Sequence, residues 1–276
     1  MSVETEQADP RDPTASPLAH FGAEVRIERE RLGLSRDDVA KAAHCGYSLV
    51  AKIEAGQRVP HREFAVACDA LFPHSGGRFL RLWPLVLRYA FPPWFRHYVE
   101  LEMVATGIRM FHPQLIPGLV QTEEYARAVL RTGRPMNLDD LVTARMERQH
   151  ILSREAPPRL WLILDEGVLR RMVGTPDVMA LQLARLRDLA AAPPHVVQIV
   201  PESGKSYHGW SSPFGLLSFR DGADVVHVDG FPKGYLLADA DDVAAADSAY
   251  DLLKATALPP DESAALIDSV LKDCYS

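Results

Sequence analysis

Residues 33–60 have the sequence GLSRDDVAKAAHCGYSLVAKIEAGQRVP, which contains start and stop signals for short helices. Gly33 adopts positive φ angles at no steric cost, so it ends a first helix that begins near Phe21. Ser35 supplies an N-cap hydroxyl, and Asp38 three residues later completes a capping box. The sequence therefore predicts that a second helix begins at Ser35.

A third helix is predicted directly after a tight turn. The turn is the tripeptide HCG at residues 44–46, and helical spacing resumes at Tyr47. The helix runs to Ala55, because Gly56 suits the residue that follows a helix end. Pro60 then marks the approach to a fourth helix. The pattern is thus four helices, with the tight turn between the second and the third.

The predicted third helix has two chemically different faces. Val50 and Ile53 lie about 60° apart on a helical wheel and close a small core with Leu34, Val39 and Leu71. The opposite face combines small side chains, hydrogen-bond donors and a cation, which suit base edges and phosphates in a DNA major groove: Tyr47, Ser48, Ala51 and Lys52. The alternative is a helical scaffold whose polar face only meets water.

Residues 21–72 resemble the Xre family of helix-turn-helix repressors, which includes the phage lambda-type repressors. The resemblance implies a recognition helix at Gly46–Ala55 that contacts bases through the four residues just named. It also implies phosphate contacts from Ser35 and Arg36, to which we add Arg58, and an ion pair between Arg29 and Glu54. Two positions depart from the family pattern: Gly46 replaces the usual Ser or Thr cap, and His44 replaces the usual turn glycine.

The charge balance argues against nonspecific coating of nucleic acid. The 276-residue chain has a formal net charge of −7. Residues 21–72 contain eight basic and eight acidic side chains, so their sum is zero. Because nonspecific DNA binding depends on neutralising phosphates, we expect affinity to come from individually placed contacts and from dimerisation.

The sequence pattern of the second half of the chain predicts a domain that contains both strands and helices. Short β-branched or aromatic runs at 159–165, 195–200, 214–219 and 224–229 predict strands, with a hairpin between the last two. Helices are predicted after Thr122, after Thr175 and in two closing segments near 241–256 and 261–273. Gly107 to Pro117 is expected to be extended. The fold class is therefore an N-terminal all-α, lambda-repressor-like helix-turn-helix domain followed by an α+β domain with a small sheet covered by helices.

Three segments of this half are similar to the C-terminal domain of actinomycete regulators of the WhiJ type. They are PPWFRHYVELEMVATGIRMFHPQLIPGLVQTEEYARAVL at 92–130, RLWLILDEGVLRRMVG at 159–174 and PFGLLSF at 213–219. The resemblance implies a transcriptional regulator, often encoded beside a small partner protein in an antitoxin-like arrangement.

The predicted organisation has four parts. Residues 1–17 form a disordered N-terminal segment, 18–73 the helix-turn-helix domain, 74–93 a linker or connecting helix, and 94–276 the α+β regulatory or oligomerisation domain. The three cysteines, Cys45, Cys68 and Cys274, have neither metal-ligand spacing nor a disulfide pattern. No signal peptide or membrane span is evident, so we expect a cytoplasmic protein.

Signals for catalysis are weak. GKS at 204–206 resembles the end of a phosphate-binding loop, but Ile199 stands where that motif requires glycine. His195, His208 and His227 lack ligand spacing and are expected to be ordinary core or surface residues. We therefore predict no catalytic residue, no metal ion and no cofactor.

Three hypotheses follow. In the first, the protein is a sequence-specific regulator that binds double-stranded DNA as a homodimer, while its C-terminal domain senses a small-molecule effector or a partner. In the second, it is an antitoxin-like or scaffold protein whose main output is a complex with a small partner protein. The third, an enzyme with an appended DNA-binding domain, has no motif that supports it.

Overall fold

The computed structural model describes residues 12–202 and 212–275. It divides into two compact units. The first unit comprises the chain up to Arg96 together with residues 137–147. The second comprises residues 97–136 and everything from Arg148 onward. The predicted four-part division stays a prediction.

The first unit begins with five helices. They are α1 (Pro17–Arg31), α2 (Arg36–Ala42), α3 (Tyr47–Glu54), α4 (Arg62–Leu71) and α5 (Arg78–Ala90). Helix α1 begins earlier than the predicted start near Phe21. Ser16 accepts a hydrogen bond from the backbone N–H of Ala19, and Pro17 occupies the first turn, where its fixed φ suits a helix start.

The punctuation between these helices agrees with the predicted start and stop signals. Gly33 and Gly56 have φ angles of +65° and +66°, which is the left-handed conformation expected after a helix end. Ser35 and Asp38 form the predicted capping box at the start of α2. All of these signals are confirmed. Each acts within four residues along the chain, which is why spacing alone could predict it.

The core of the first unit joins all five helices. Val50 and Ile53 are fully buried, as predicted, beside the aromatic rings of Phe21, Phe72 and Phe79. Phe79 belongs to α5, so this helix packs on the others. Gly22 of α1 permits a close approach to α3, because a Cβ atom there would overlap the carbonyl oxygen of Ile53.

Three further helices follow along the chain: α6 (Pro93–Val104), α7 (Glu123–Arg131) and α8 (Leu138–Arg148). Thr122 caps α7 by accepting a hydrogen bond from the N–H of Tyr125, as the sequence predicted. All of α8 except its last residue, Arg148, lies within residues 137–147 of the first unit. The first unit is therefore built from two separate stretches of chain.

The second unit contains a six-stranded mixed sheet. Its strands are β1 (Gly107–His112), β2 (Arg159–Asp165), β3 (Val196–Val200), β4 (Phe214–Ser218), β5 (Val225–Val228) and β6 (Tyr235–Leu237). The spatial order is β3-β2-β1-β4-β5-β6, in which the first three strands are parallel and the later pairings are antiparallel. The four predicted strands and the β4–β5 hairpin are confirmed.

Helices pack on the sheet. The remaining ones are α9 (Gly167–Arg170), α10 (Pro176–Ala190), α11 (Ala240–Thr256) and α12 (Pro260–Tyr275). Tyr250 and Leu253 of α11 lie in a buried cluster with Phe111 and Ile163 from the central strands. The predicted fold class is therefore confirmed: a helical domain followed by a mixed sheet with helices. Among the helices of residues 12–202 and 212–275, none combines the length and apolar character that crossing a membrane requires.

Candidate nucleic-acid interface

Helix α3 separates a buried face from an exposed one. Val50 and Ile53 have no exposed side-chain surface, whereas Tyr47 retains 50% of its own. Ser48 and Lys52 are also exposed, and Ala51 is half-buried beside them. The structure therefore brings the four predicted base-contacting residues onto the outer side of one short helix.

One carboxylate links the first three helices. Glu54 of α3 is 3% exposed, and its Oε1 accepts a hydrogen bond from Nε of Arg29 on α1 at 2.6 Å. Its Oε2 accepts from Nε of Arg36 on α2 at 2.8 Å. Each guanidinium is planar and offers donors in a fixed geometry, so this contact fixes orientation as well as distance. The exposed face of α3 is thereby held relative to α1 and α2.

Arg36 also holds the exposed aromatic ring of α3. Its Nη1 donates to the hydroxyl of Tyr47 at 3.3 Å, and its guanidinium lies 6.0 Å from the centre of the tyrosine ring. Hydrogen bonds to Tyr47 and Glu54 raise the pKa of Arg36, so the group carries its charge at any physiological pH. Arg36, which we predicted to contact phosphate, is thus also a positioning residue for Tyr47.

The turn before α3 uses two unusual residues. Gly46 is the N-cap of α3 and supplies no side-chain hydrogen bond. His44 has a φ of +50°, a left-handed conformation that glycine normally occupies. Both departures from the family pattern are therefore accommodated by the backbone. At the start of α2, the hydroxyl of Ser35 donates to Asp38 at 2.7 Å, which places this predicted phosphate contact within the capping box.

Arg58, the third predicted phosphate contact, lies against helix α8. Its Nη1 donates to Oδ1 of Asp140 at 3.1 Å, and the same oxygen accepts the backbone N–H of Val59 at 2.9 Å. Glu147, two turns later on α8, accepts the backbone N–H of Arg62 at 3.2 Å. The α3–α4 connection is thus held by two carboxylates of α8.

Glu147 also changes the ionisation of a nearby histidine. His61 Nδ1 lies 3.5 Å from Oε1 of Glu147, and this hydrogen bond is the main cause of a raised pKa for His61. Protonated His61 therefore adds a favourable charge contact to the same two-carboxylate attachment of α8.

Two polar residues beside α3 were not among the predicted site residues. Arg26 of α1 and Gln57, which follows α3, line a shallow cavity together with Arg36 and Lys52. Arg26 precedes Arg29 by three residues, so the two share one side of α1. That spacing is a sequence signal for Arg26, but the meeting of α1 with the end of α3 is visible only in the folded chain.

The second unit contains a buried polar cluster of its own. Arg148 and Glu102 form a doubly hydrogen-bonded ion pair, and the Tyr98 ring lies 4.2 Å from the His227 ring. Burial lowers the pKa of His112 to about 3, and that of His227 to about 4. Both histidines are therefore neutral core residues at pH 7, which agrees with the prediction for His227.

Models of two protein families match this chain. A model described as a helix-turn-helix domain matches residues 20–73. A second model, described as a domain of unknown function (DUF5753), matches residues 95–269, which is more than half of the 276-residue chain. The chain belongs to the DUF5753 family. No curated protein and no solved structure matches it. The finer assignments to Xre-type and WhiJ-type proteins stay predictions.

The DUF5753 region contains several of the weak signals noted in the sequence. His195 is half-buried, and its Nδ1 accepts the backbone N–H of Leu160 at 3.4 Å. GKS at 204–206 and His208 lie outside the described residues. Within residues 12–202 and 212–275, no group of three or more His, Cys, Asp or Glu side chains could hold a metal ion.

Proposed function

We propose that this DUF5753 protein is a sequence-specific DNA-binding transcriptional regulator. Helix α3 inserts into the major groove, where Tyr47, Ser48, Ala51 and Lys52 contact base edges. Ser35 and Arg36, at the start of α2, contact backbone phosphates. A phosphate contact by Arg58 also belongs to the proposal, although its guanidinium lies against Asp140 in the DNA-free chain.

The observation that carries this proposal is the two-sided character of α3. Its inner face is completely buried, while its outer face exposes an aromatic ring, a hydroxyl and the cation of Lys52. Glu54 fixes this face through Arg29 and Arg36 before any DNA is bound. A rigid recognition surface lowers the entropy cost of binding, so few contacts suffice for discrimination.

The proposal includes a homodimer. Residues 21–72 have no net charge, so a single domain gains little from general attraction to DNA. Two copies would place two recognition helices in half-sites about 34 Å apart. In this proposal the DUF5753 domain supplies the dimer surface and the site at which an effector or a partner protein changes DNA binding.

The test is selection of binding sites from genomic duplex fragments, followed by measurement of affinity. We expect Lys52→Ala to weaken binding to the selected sequence by about 10- to 100-fold and to relax sequence preference. The matched control is Lys272→Ala, which removes an exposed lysine of α12 in the second unit. Selection of no preferred sequence by the wild-type protein, or unchanged preference in Lys52→Ala, contradicts the assignment of α3.

A further inference from the structure

A shallow cavity of about 310 Å³ lies between α1 and the C-terminal half of α3. Its polar lining comes from Arg26, Arg36, Lys52 and Gln57, which belong to three helices and the segment after α3. We call these four residues the basic cradle. Small side chains, including Ala51, form part of its wall, so a ligand can approach the backbone of α3 closely.

The charge inside the basic cradle is positive. Glu54 also lines the cavity, but its two oxygens already accept from Arg29 and Arg36. Arg26 and Lys52, by contrast, form no ion pair or side-chain hydrogen bond with any residue that the structure describes. Two cations that face one concave surface without a protein partner favour an anion from outside the chain.

The arrangement of donors suits a phosphate group. Guanidinium groups present paired N–H donors that match phosphate oxygens, lysine adds a compact charge, and the carboxamide of Gln57 adds neutral donors. These groups come from several elements that line one cavity, and a tetrahedral anion presents oxygens in several directions. Phosphate oxygens are available both on a DNA backbone and on free phosphate.

From these observations we infer that the basic cradle binds one phosphate of the DNA backbone, beside the major groove that α3 enters. This inference rests on the proposed function and extends it, because it assigns Arg26 and Gln57 to the interface. It also gives Lys52 a second contact, to an oxygen of that phosphate, in addition to its base contacts. Arg26 then contributes affinity without sequence preference, because every nucleotide carries the same phosphate.

The experiment compares Arg26→Ala and Gln57→Ala with wild-type protein on the selected duplex and on unrelated duplexes. Arg26→Ala should weaken binding to all of them by a similar factor, about threefold to tenfold, and lower the salt slope by about one. Gln57→Ala should weaken binding without changing the salt slope, since it removes no charge. The matched control is Arg31→Ala on the same helix, whose guanidinium pairs with Glu28 at 2.7 Å.

Duplexes with a single neutral methylphosphonate identify the phosphate. At one position in each half-site, neutralisation should weaken Arg26→Ala by a smaller factor than wild type, because the variant already lacks one of the charges that contact that phosphate. If every position weakens both proteins by the same factor, the inference is wrong. Absence of any sequence-preferring DNA binding by wild type would instead overturn the proposed function.

Titration of the DNA-free protein with inorganic phosphate distinguishes the two sources of the anion. We expect millimolar or weaker binding, because a single phosphate is strongly hydrated and brings no neighbouring contacts. Tight binding of inorganic phosphate that Arg26→Ala abolishes, with unchanged DNA affinity, would assign the cradle to a free phosphate and overturn the DNA assignment.

Discussion

Asp140 and Val59 are joined by a buried hydrogen bond of 2.9 Å, although they lie 81 positions apart in the chain. The same carboxylate oxygen accepts from Arg58, so one side chain of α8 satisfies both a backbone donor and a guanidinium of the α3–α4 connection. A buried N–H without an acceptor is costly, which makes Asp140 part of the helix-turn-helix unit in energetic terms.

Asp140→Ala should lower the free energy of unfolding of the first unit by about 2 kcal/mol, because it leaves the N–H of Val59 without its acceptor. Urea denaturation measures the loss, and hydrogen exchange of the peptide at 56–63 locates it. The control is Asp139→Ala, whose 60% exposed carboxylate lies 3.7 Å from the same Arg58. Equal effects of the two variants would contradict this prediction.

Glu54→Gln should destabilise the first unit by about 2–3 kcal/mol. The substitution keeps the side-chain shape but removes the charge that Arg29 and Arg36 share. The largely buried guanidinium of Arg29 then keeps only the exposed carboxylate of Glu30 as an ion-pair partner among the described residues. Glu30→Gln is the control, because Glu30 also pairs with Arg29 but is 60% exposed. It should change stability by no more than about 0.5 kcal/mol in the same denaturation experiment.

Gly46→Ser should stabilise the chain relative to Gly46→Ala by about 1 kcal/mol. The φ and ψ angles at Gly46 are −86° and 150°, which serine and alanine both adopt. Apart from the adjacent residues, the described atom nearest to an added Cβ would be Ser48 Oγ, at 4.0 Å. The two variants therefore differ mainly in the hydroxyl that can cap α3. Thermal unfolding of both proteins measures the difference, and identical midpoints would show that this position does not act as a cap.

Acid should destabilise the second unit through its buried histidines. In the unfolded chain a histidine protonates near pH 6.5, whereas burial holds the pKa of His112 near 3 and that of His227 near 4. Between these values the unfolded state binds more protons. The free energy of unfolding of the second unit should therefore fall, as pH decreases, by up to about 1.4 kcal/mol per pH unit for each histidine.

His112→Gln tests this pH dependence. Urea denaturation at pH 7, 6 and 5 should show a shallower decline for the variant than for wild type, whatever its absolute stability. His20→Gln, which replaces an exposed histidine of α1, serves as the control. A variant whose pH dependence parallels that of wild type would show that His112 does not contribute the proton linkage.

The sequence predicted those parts of the fold that depend on short-range signals. Ser35, Asp38, Gly33 and Gly56 act on neighbouring backbone groups, so their effect can be deduced from spacing alone. Strand β6 was missed because it has only three residues, too few to show alternation. Strand β1 was predicted only as an extended segment, and its central place in the sheet comes from pairing with β2 and β4.

The candidate site was predicted less completely, and the reason is geometric. A helical wheel gives the outer face of α3, because that face depends on one helix. The basic cradle requires α1 to meet the end of α3, which Gly22 permits by its lack of a side chain. The contact of Arg58 with Asp140 spans 82 positions of the chain, and no local pattern indicates such a pairing.

Helix α8 lies inside the stretch that matches the DUF5753 model, yet its carboxylates complete the helix-turn-helix unit. Exchange of modules between proteins is therefore constrained. A recombination between residues 73 and 95 would transfer a helix-turn-helix domain without Asp140 and Glu147, and its Val59 and Arg62 amides would need new acceptors. We expect such chimeras to inherit full stability only when residues 137–147 come from the same parent as residues 58–62.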